Sequence, residues 1–358
     1  MPQDVVAMSH INSGMPYISV IITAYNRKEY LPFAVNSVLN QTLKRSFYET
    51  IVIKNFQDQE IDSYLEEKGV CKIYSNVVSI GGKLTEAMEA ARGEIICFLE
   101  DDDLFLPQKL EEVYRRFTNN PLLGLFRHNF LISDTEENYG VLEPVQVGQS
   151  TSVCLRLNEI ADVKSIIYLT STKSASLNMS TISIRKSFFN DAFPILSELT
   201  ILTDLFFFFY LVRKHEPNEL LLDDGIFSIY RKHASATQFP RALSTGEYKA
   251  ATLKNSELHL NAMIYLYKQF GCYEVISAKR NALCKYFSLA MSGWRIQIAL
   301  LRGEESELRD IIAGVKLGAY RRSISILGST FLAFIGKVVP IELLEIIFLG
   351  VLMRRQCI

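Results

Sequence analysis

Four times between Tyr17 and Phe117 a short apolar run is followed by a stretch with helical spacing. The first run, Tyr17 to Thr23, is continuously apolar and β-branched, the mark of a strand covered on both faces. It ends in Ala24-Tyr25-Asn26-Arg27, and Leu31, Ala34, Val35, Val38 and Leu39 then recur at helical spacing. Tyr48 to Ile53 predicts a second buried strand, Gln59 to Lys68 a helix and Val70 to Tyr74 a short strand. Gly81-Gly82 opens a helix over Lys83 to Ala91, which Gly93 closes. Glu94 to Leu99 is the fourth strand, with a helix over Gln108 to Phe117 behind it. Alternation at this spacing demands parallel βα units. The expected class is α/β, a doubly wound sheet, and such sheets bind ligands at the carboxyl ends of their strands.

The fourth strand runs straight into Glu100, Asp101, Asp102 and Asp103. Four like charges raise one another's pKa unless a cation sits among them. The cluster is therefore either a solvated turn or a metal holder. Hard oxygen ligands favour Mg²⁺ or Mn²⁺, and a phosphate substrate is the natural partner of such a cation. There is no Gly-x-x-x-x-Gly-Lys-[Ser/Thr], which excludes a P-loop NTPase. No Gly-x-Gly-x-x-Gly follows the first strand, which argues against a dinucleotide-binding unit. What does follow it is Tyr25-Asn26, an aromatic and an amide suited to stacking on and hydrogen-bonding a nucleobase.

Past the fourth unit, Leu123 to Ile132 and Tyr139 to Val147 read as strands of a mixed extension, and Asn158 to Leu169 as a helix. Met179 to Arg185 predicts a strand and Leu199 to Val212 an apolar helix containing Phe206 to Phe209. Those phenylalanines are core packing or, more sharply, a wall for a lipid or acceptor. Leu220 to Tyr230 reads as a hairpin pivoting on Asp223-Asp224-Gly225. From Tyr248 onward the pattern is helical. With 49% hydrophobic residues, 22% charged residues and a net charge of −1, nothing calls for nucleic acid. Six cysteines without a Cys-x-x-Cys pair read as reduced core thiols.

In order, these blocks resemble the family 2 glycosyltransferases. Val20 to Arg27, Leu31 and Ala34 to Thr42 look like that family's opening. Gly82, Ala87, Ala91 to Ile96 and Phe98 to Asp103 are similar to its second block, which Pro107, Lys109 and Leu110 continue. The resemblance runs over about residues 17 to 237. It implies a GT-A-like doubly wound mixed sheet followed by an all-helical C-terminal region, a nucleotide-sugar donor and inversion at the anomeric carbon. It implies Asp103 as the main metal ligand with Asp102 beside it, and Glu100 or Asp101 assisting. Asp101 and Asp102 also face the donor, while Thr23, Tyr25, Asn26 and Arg27 line the nucleotide. Lys83 adds positive charge at a helix start. Asp204 is the expected general base, with Glu198 as second candidate, and Arg231 and His233 meet the phosphates. One departure stands out. The family's second strand usually ends in two aspartates, whereas here Ile53 is followed by Lys54-Asn55. Asn55 can still bond a base edge and Lys54 can pair with phosphate, so UDP, GDP and other donors stay open.

The expected division is a tail over 1–16, a glycosyltransferase domain over 17–240, a helical region over 241–320 and an apolar hairpin over 321–358. Met1 to Met15 lacks the basic start and apolar run of a secretion signal, so a cytoplasmic chain is expected. Arg321-Arg322 and Arg354-Arg355 bracket the apolar tract, which reads either as a hairpin in the cytoplasmic leaflet or as helical core. The expected acceptor is a glycan or a lipid-linked sugar. The alternative is a non-catalytic, nucleotide-binding scaffold at the membrane.

Overall fold

Strand β1 (Ile18–Ala24) is the axis of the structure: it pairs in parallel with a strand on either side. The computed structural model describes residues 15–133, 150–171, 178–232, 245–270 and 278–302, and scattered positions to 316. After α1 (Leu31–Leu39), β2 (Tyr48–Lys54) pairs on one flank of β1, followed by α2 (Gln59–Glu67) and β3 (Cys71–Tyr74). The chain then crosses back through α3 (Ile80–Ala90) to place β4 (Ile95–Glu100) on the other flank. This reversal of strand order leaves a crevice at the carboxyl ends of β1 and β4. Register puts Thr23 level with both Ile53 and Glu100. All but one residue of β1 is buried, as a strand with helices on both faces requires.

The sheet continues as a mixed extension. Short β5 (Leu104–Phe105) precedes α4 (Lys109–Asn119), β6 (Leu123–Ser133) and β7 (Ser152–Arg156). After α5 (Val163–Ser171) come β8 (Ile182–Arg185), α6 (Phe193–Leu196), α7 (Thr203–Arg213) and β9 (Glu219–Arg231). Strand order is β3-β2-β1-β4-β8-β6-β9-β5, with β7 on β9. Phe206 to Phe209 are fully buried, and Phe207 stacks on Phe98 of β4 at 5.0 Å, so the aromatic run is core.

Five expectations need correcting. Leu220 to Tyr230 is one long strand and not a hairpin. The Asp223 carboxylate accepts from the Gly225 N–H at 2.8 Å and pairs with Arg116, so Asp-Asp-Gly is absorbed as a register shift against β6. Met179–Thr181 is a 3₁₀ turn ahead of β8, and α7 begins four residues later than its apolar pattern. The helix at Gly81-Gly82 begins at Ile80 under a Ser79 cap. The two glycines serve close approach instead: a Cβ on Gly81 would lie 1.8 Å from the Leu196 carbonyl oxygen. Nor are the cysteines uniformly reduced core thiols. Cys97 is buried and free, Cys71 and Cys154 are free but exposed, and Cys284 is disulfide-bonded.

The chain divides into two units, Met1–Asn158 with Ala175–His233, and Glu159–Ser174 with Ala234–Ile358. In the second, α9 (Ala278–Arg302) packs against both α5 and α8 (Thr245–Gln269), with contacts such as Phe270 against Phe287 at 5.8 Å. Tyr139 to Val147, His233 and the tract 321–358 lie outside the described residues. Among the described residues no helix is long and apolar enough to cross a membrane.

Candidate active site

The crevice between β1 and β4 collects most of the expected site residues. The Asp101 N–H donates to the Thr23 carbonyl at 3.2 Å, tying the acid turn to the end of β1. Arg27 reaches across and pairs with Asp101 at 2.5 Å and Asp102 at 2.8 Å. Its guanidinium is thus spent on the acids. Asp103 is buried; its Oδ1 accepts from the Arg231 N–H at 3.2 Å and its Oδ2 lies 3.5 Å from Asn178 Nδ2. Burial first, and Asp102 second, push Asp103 up to about 7 and Asp101 up to about 6. Burial also raises Glu100 well above the usual carboxylate range, reinforced by Asp103, Asp102 and Asp204. Three acids of the turn, Asp103, Glu100 and Asp102, add to burial in raising the Tyr230 hydroxyl to about 12.

Asp204 arrives from a separate element. It sits in the first turn of α7, where an acid suits the helix dipole, and accepts from the Leu205 N–H at 2.8 Å. Burial raises it to about 6. The helix is entered through Leu202 at φ 64°, a left-handed conformation that is an outlier for a bulky residue. The other left-handed non-glycine residues among those described, Asn26 and Asn178, also border this crevice. Strain of this kind persists only where its surroundings hold it, and it gathers at functional sites. Glu198 is exposed on the segment between α6 and α7.

On the β2 side, Tyr25 is 56% exposed and the buried Lys83 holds its ammonium 4.7 Å from the ring centre. Burial lowers the Lys83 pKa. Asn55 and Asn26 clasp one another: the Asn26 N–H donates to Asn55 Oδ1 at 2.8 Å, and Asn55 Nδ2 donates to Asn26 Oδ1 at 2.7 Å. Lys54 does not offer itself to a phosphate. Its Nζ donates to the Phe56 carbonyl at 2.6 Å and pairs with Asp62 at 2.9 Å. The Arg231 guanidinium lies over Tyr30 at 5.0 Å and Phe33 at 5.4 Å.

Sequence reasoning missed Asn178 and Ser180. The signal was the cluster Asn178-Met179-Ser180-Thr181 ahead of a strand, which is turn chemistry. The Ser180 hydroxyl accepts from the Glu100 N–H at 3.1 Å and hydrogen-bonds Asp103.

Among the described residues no three His, Cys, Asp or Glu side chains group to hold a metal by themselves. Asp102 and Asp103 nonetheless fit one. They are hard oxygen donors side by side in the turn, and Mg²⁺ is commonly held by one or two carboxylates plus substrate phosphates.

A mixed sheet whose strand order reverses at β1, with an acid turn at one lip of the switch point and an exposed aromatic at the other, has the GT-A architecture. Residues 19–151 match the family described as Glycosyl transferase family 2. The chain is 28% identical over 184 residues to an uncharacterised glycosyltransferase of Nostoc sp., covering 50% of this chain and 53% of that one. Over 106 residues it is 29% identical to the poly(ribitol-phosphate) β-N-acetylglucosaminyltransferase TarP of Staphylococcus aureus, covering 28% and 32% of the two chains. The chain spans about half the length of the first of these relatives and less of the other. Among solved structures, residues 1–349 of S. aureus TarS with UDP-GlcNAc superpose with a TM-score of 0.51 at 16% identity, covering 92% of this chain and 90% of that one. That likeness speaks for the fold.

Proposed function

We propose that this protein transfers a sugar from a nucleotide-diphosphate donor to an acceptor hydroxyl, with inversion and with a divalent cation. One observation carries the reading: Asp103 lies buried in the acid turn at the end of β4, its carboxylate between the Arg231 N–H and the Asn178 amide, while the Asp101 N–H ties that turn to the end of β1. In this reading the diphosphate lies over Asp101 to Asp103 and the base lies toward Tyr25 and Asn55. Asp204 takes the proton of the acceptor hydroxyl as its oxygen attacks the anomeric carbon and the bond to the diphosphate breaks. A carboxyl raised to about 6 is matched to that task near neutral pH. Asp102 and Asp103 would hold the Mg²⁺ or Mn²⁺, which when bound neutralises charge on the departing diphosphate. Lys83 adds positive charge beside Tyr25, and Asp101 keeps Arg27 in place.

A glycan acceptor is supported by the named relatives. A lipid-linked one at the cytoplasmic membrane face is supported by the bracketed apolar tract in the sequence. A thermal-shift screen of UDP- and GDP-sugars with and without Mn²⁺ tests the donor. Replacing Asp204 with Asn should lower transfer about 100-fold or more while leaving donor binding intact. Unchanged transfer removes Asp204 from the role.

A second reading, a nucleotide-binding scaffold without turnover, is favoured by the Lys54-Asn55 departure, since both side chains are engaged within the protein. Metal-dependent binding of a nucleotide without turnover on any acceptor would select it.

A further inference from the structure

Asn178 joins the two halves of this site, and the reading above gives it no task. Its φ of 65° is left-handed, which Asn tolerates better than most residues. Its backbone N–H faces the Asp204 carboxylate and acts to lower that carboxyl's pKa against the rise caused by burial. Its side chain faces the other way. Asn178 Oδ1 accepts from the Ser180 N–H at 2.8 Å, and a backbone N–H can only donate, so the amide orientation is fixed. Nδ2 is therefore the end that meets Asp103 Oδ2, at 3.5 Å. The residue is held from behind as well. The Thr181 hydroxyl donates to the Asn178 carbonyl at 2.7 Å, and the Thr181 N–H donates to the same oxygen at 3.1 Å. One residue thus addresses the acid turn with its side chain and the candidate base with its backbone.

We propose that Asn178 is a positioning residue that sets Asp103 and Asp204 in a common register, the amide ordering the donor-side carboxylate and the N–H ordering the base. This rests on the roles proposed above for those two acids. It predicts that the two tasks separate. Glycine at position 178 keeps the left-handed backbone, and hence the N–H to Asp204, but deletes the amide. Alanine deletes the amide and also disfavours the backbone conformation.

The test measures Mn²⁺ affinity in the presence of UDP or GDP by calorimetry, together with kcat at saturating Mn²⁺, on the full chain. Thermal melting confirms that each variant is folded. Asn178→Gly should weaken Mn²⁺ binding about 10- to 100-fold, the usual cost of losing an outer hydrogen bond to a metal ligand, while kcat changes by less than about threefold. Asn178→Ala should weaken Mn²⁺ binding similarly and also lower kcat by about tenfold or more, as expected when a base is misplaced. Native affinity in Asn178→Gly overturns the side-chain role, and equal loss of kcat in both variants overturns the backbone role. If the native protein binds no Mn²⁺ with either nucleotide, the glycosyltransferase reading of the acids falls, and this inference falls with it.

Discussion

Two acidic stripes follow β2 and β4, the strands on either side of β1, and the fold treats them in opposite ways. At the start of α2 and along it, Asp58, Asp62 and Glu66 recur every fourth residue. Each has its own lysine: Lys28 at 2.6 Å, Lys54 at 2.9 Å and Lys72 at 2.5 Å. At the end of β4 the acids are consecutive, and Arg27 answers Asp101 and Asp102 together. The hydrogen bond from Lys28, and then that from the Ile61 N–H, hold Asp58 below the usual carboxylate range. Burial and like charge push Asp101, Asp103 and Glu100 above it. The residue types are the same, so pairing and burial make the difference. Compensated charge anchors a helix, while consecutive acids that share Arg27 in a buried turn raise one another's pKa.

Exchanging the two stripes as mutational targets gives the largest expected contrast. Asp103→Ala should lower transfer about 1000-fold, since a metal supplies several kcal/mol of charge stabilisation and about 1.4 kcal/mol is a decade in rate. It should not lower thermal stability, because it removes one charge from a repelling group. Asp62→Ala should do the reverse. Turnover stays near native, and unfolding free energy falls by about 1–3 kcal/mol because Lys54, only 3% exposed, loses its charge partner. Kinetics and urea melts on both variants check this, and a stable but inactive Asp62→Ala would break the distinction.

The parallel half of the fold was legible because β1, β2 and β4 are covered on both faces, and such strands announce themselves as unbroken apolar runs. Its acid turn was legible because charge at the end of such a run is costly. The extension was harder. Strand β5 is two residues long and β7 is largely exposed, so neither carries a burial pattern. The turn-like Asp223-Asp224-Gly225 misled because its deciding partners, Arg116 and Thr151, are distant in sequence. Lys54 misled for the same reason: Asp62 was read as part of a helix and not as the counter-ion of a strand end. Asn178 was invisible because its importance lies in meeting Asp103 and Asp204, which only the folded sheet brings together.

The comparison also predicts a pH dependence of the metal-free protein. Glu100, Asp101, Asp103 and Asp204 all titrate above their unfolded values. Between about pH 4 and 7 the native state therefore binds more protons than the unfolded chain, and stability falls as pH rises through that window. His128 opposes this below about pH 6.5, since its burial and the adjacent Lys109 lower its pKa. Lys109, which burial lowers to about 7, opposes it near the top of the window, so two groups stand against four acids. Without metal, the urea midpoint should be higher at pH 5 than at pH 7, and saturating Mn²⁺ should raise it more at pH 7 than at pH 5. A midpoint that climbs from pH 5 to 7 without metal would show that the acid turn is already neutralised within the protein.

The smallest effects belong to the outer rungs of the α2 ladder, and they separate pairing from burial. Lys28 and Lys72 are 51% and 34% exposed, against 3% for Lys54. All three pairs have similar lengths, so distance alone would rank them as equals. Solvent screening and side-chain entropy make exposed pairs nearly neutral, whereas a buried lysine must keep its counter-ion. Lys28→Ala and Lys72→Ala should therefore leave the urea midpoint where it is, although each breaks an ion pair as short as the one that fails in Asp62→Ala. If either outer variant destabilises as much as Asp62→Ala, pairing itself holds α2 in place, and the contrast with the acid turn is one of ion-pair number and not of burial.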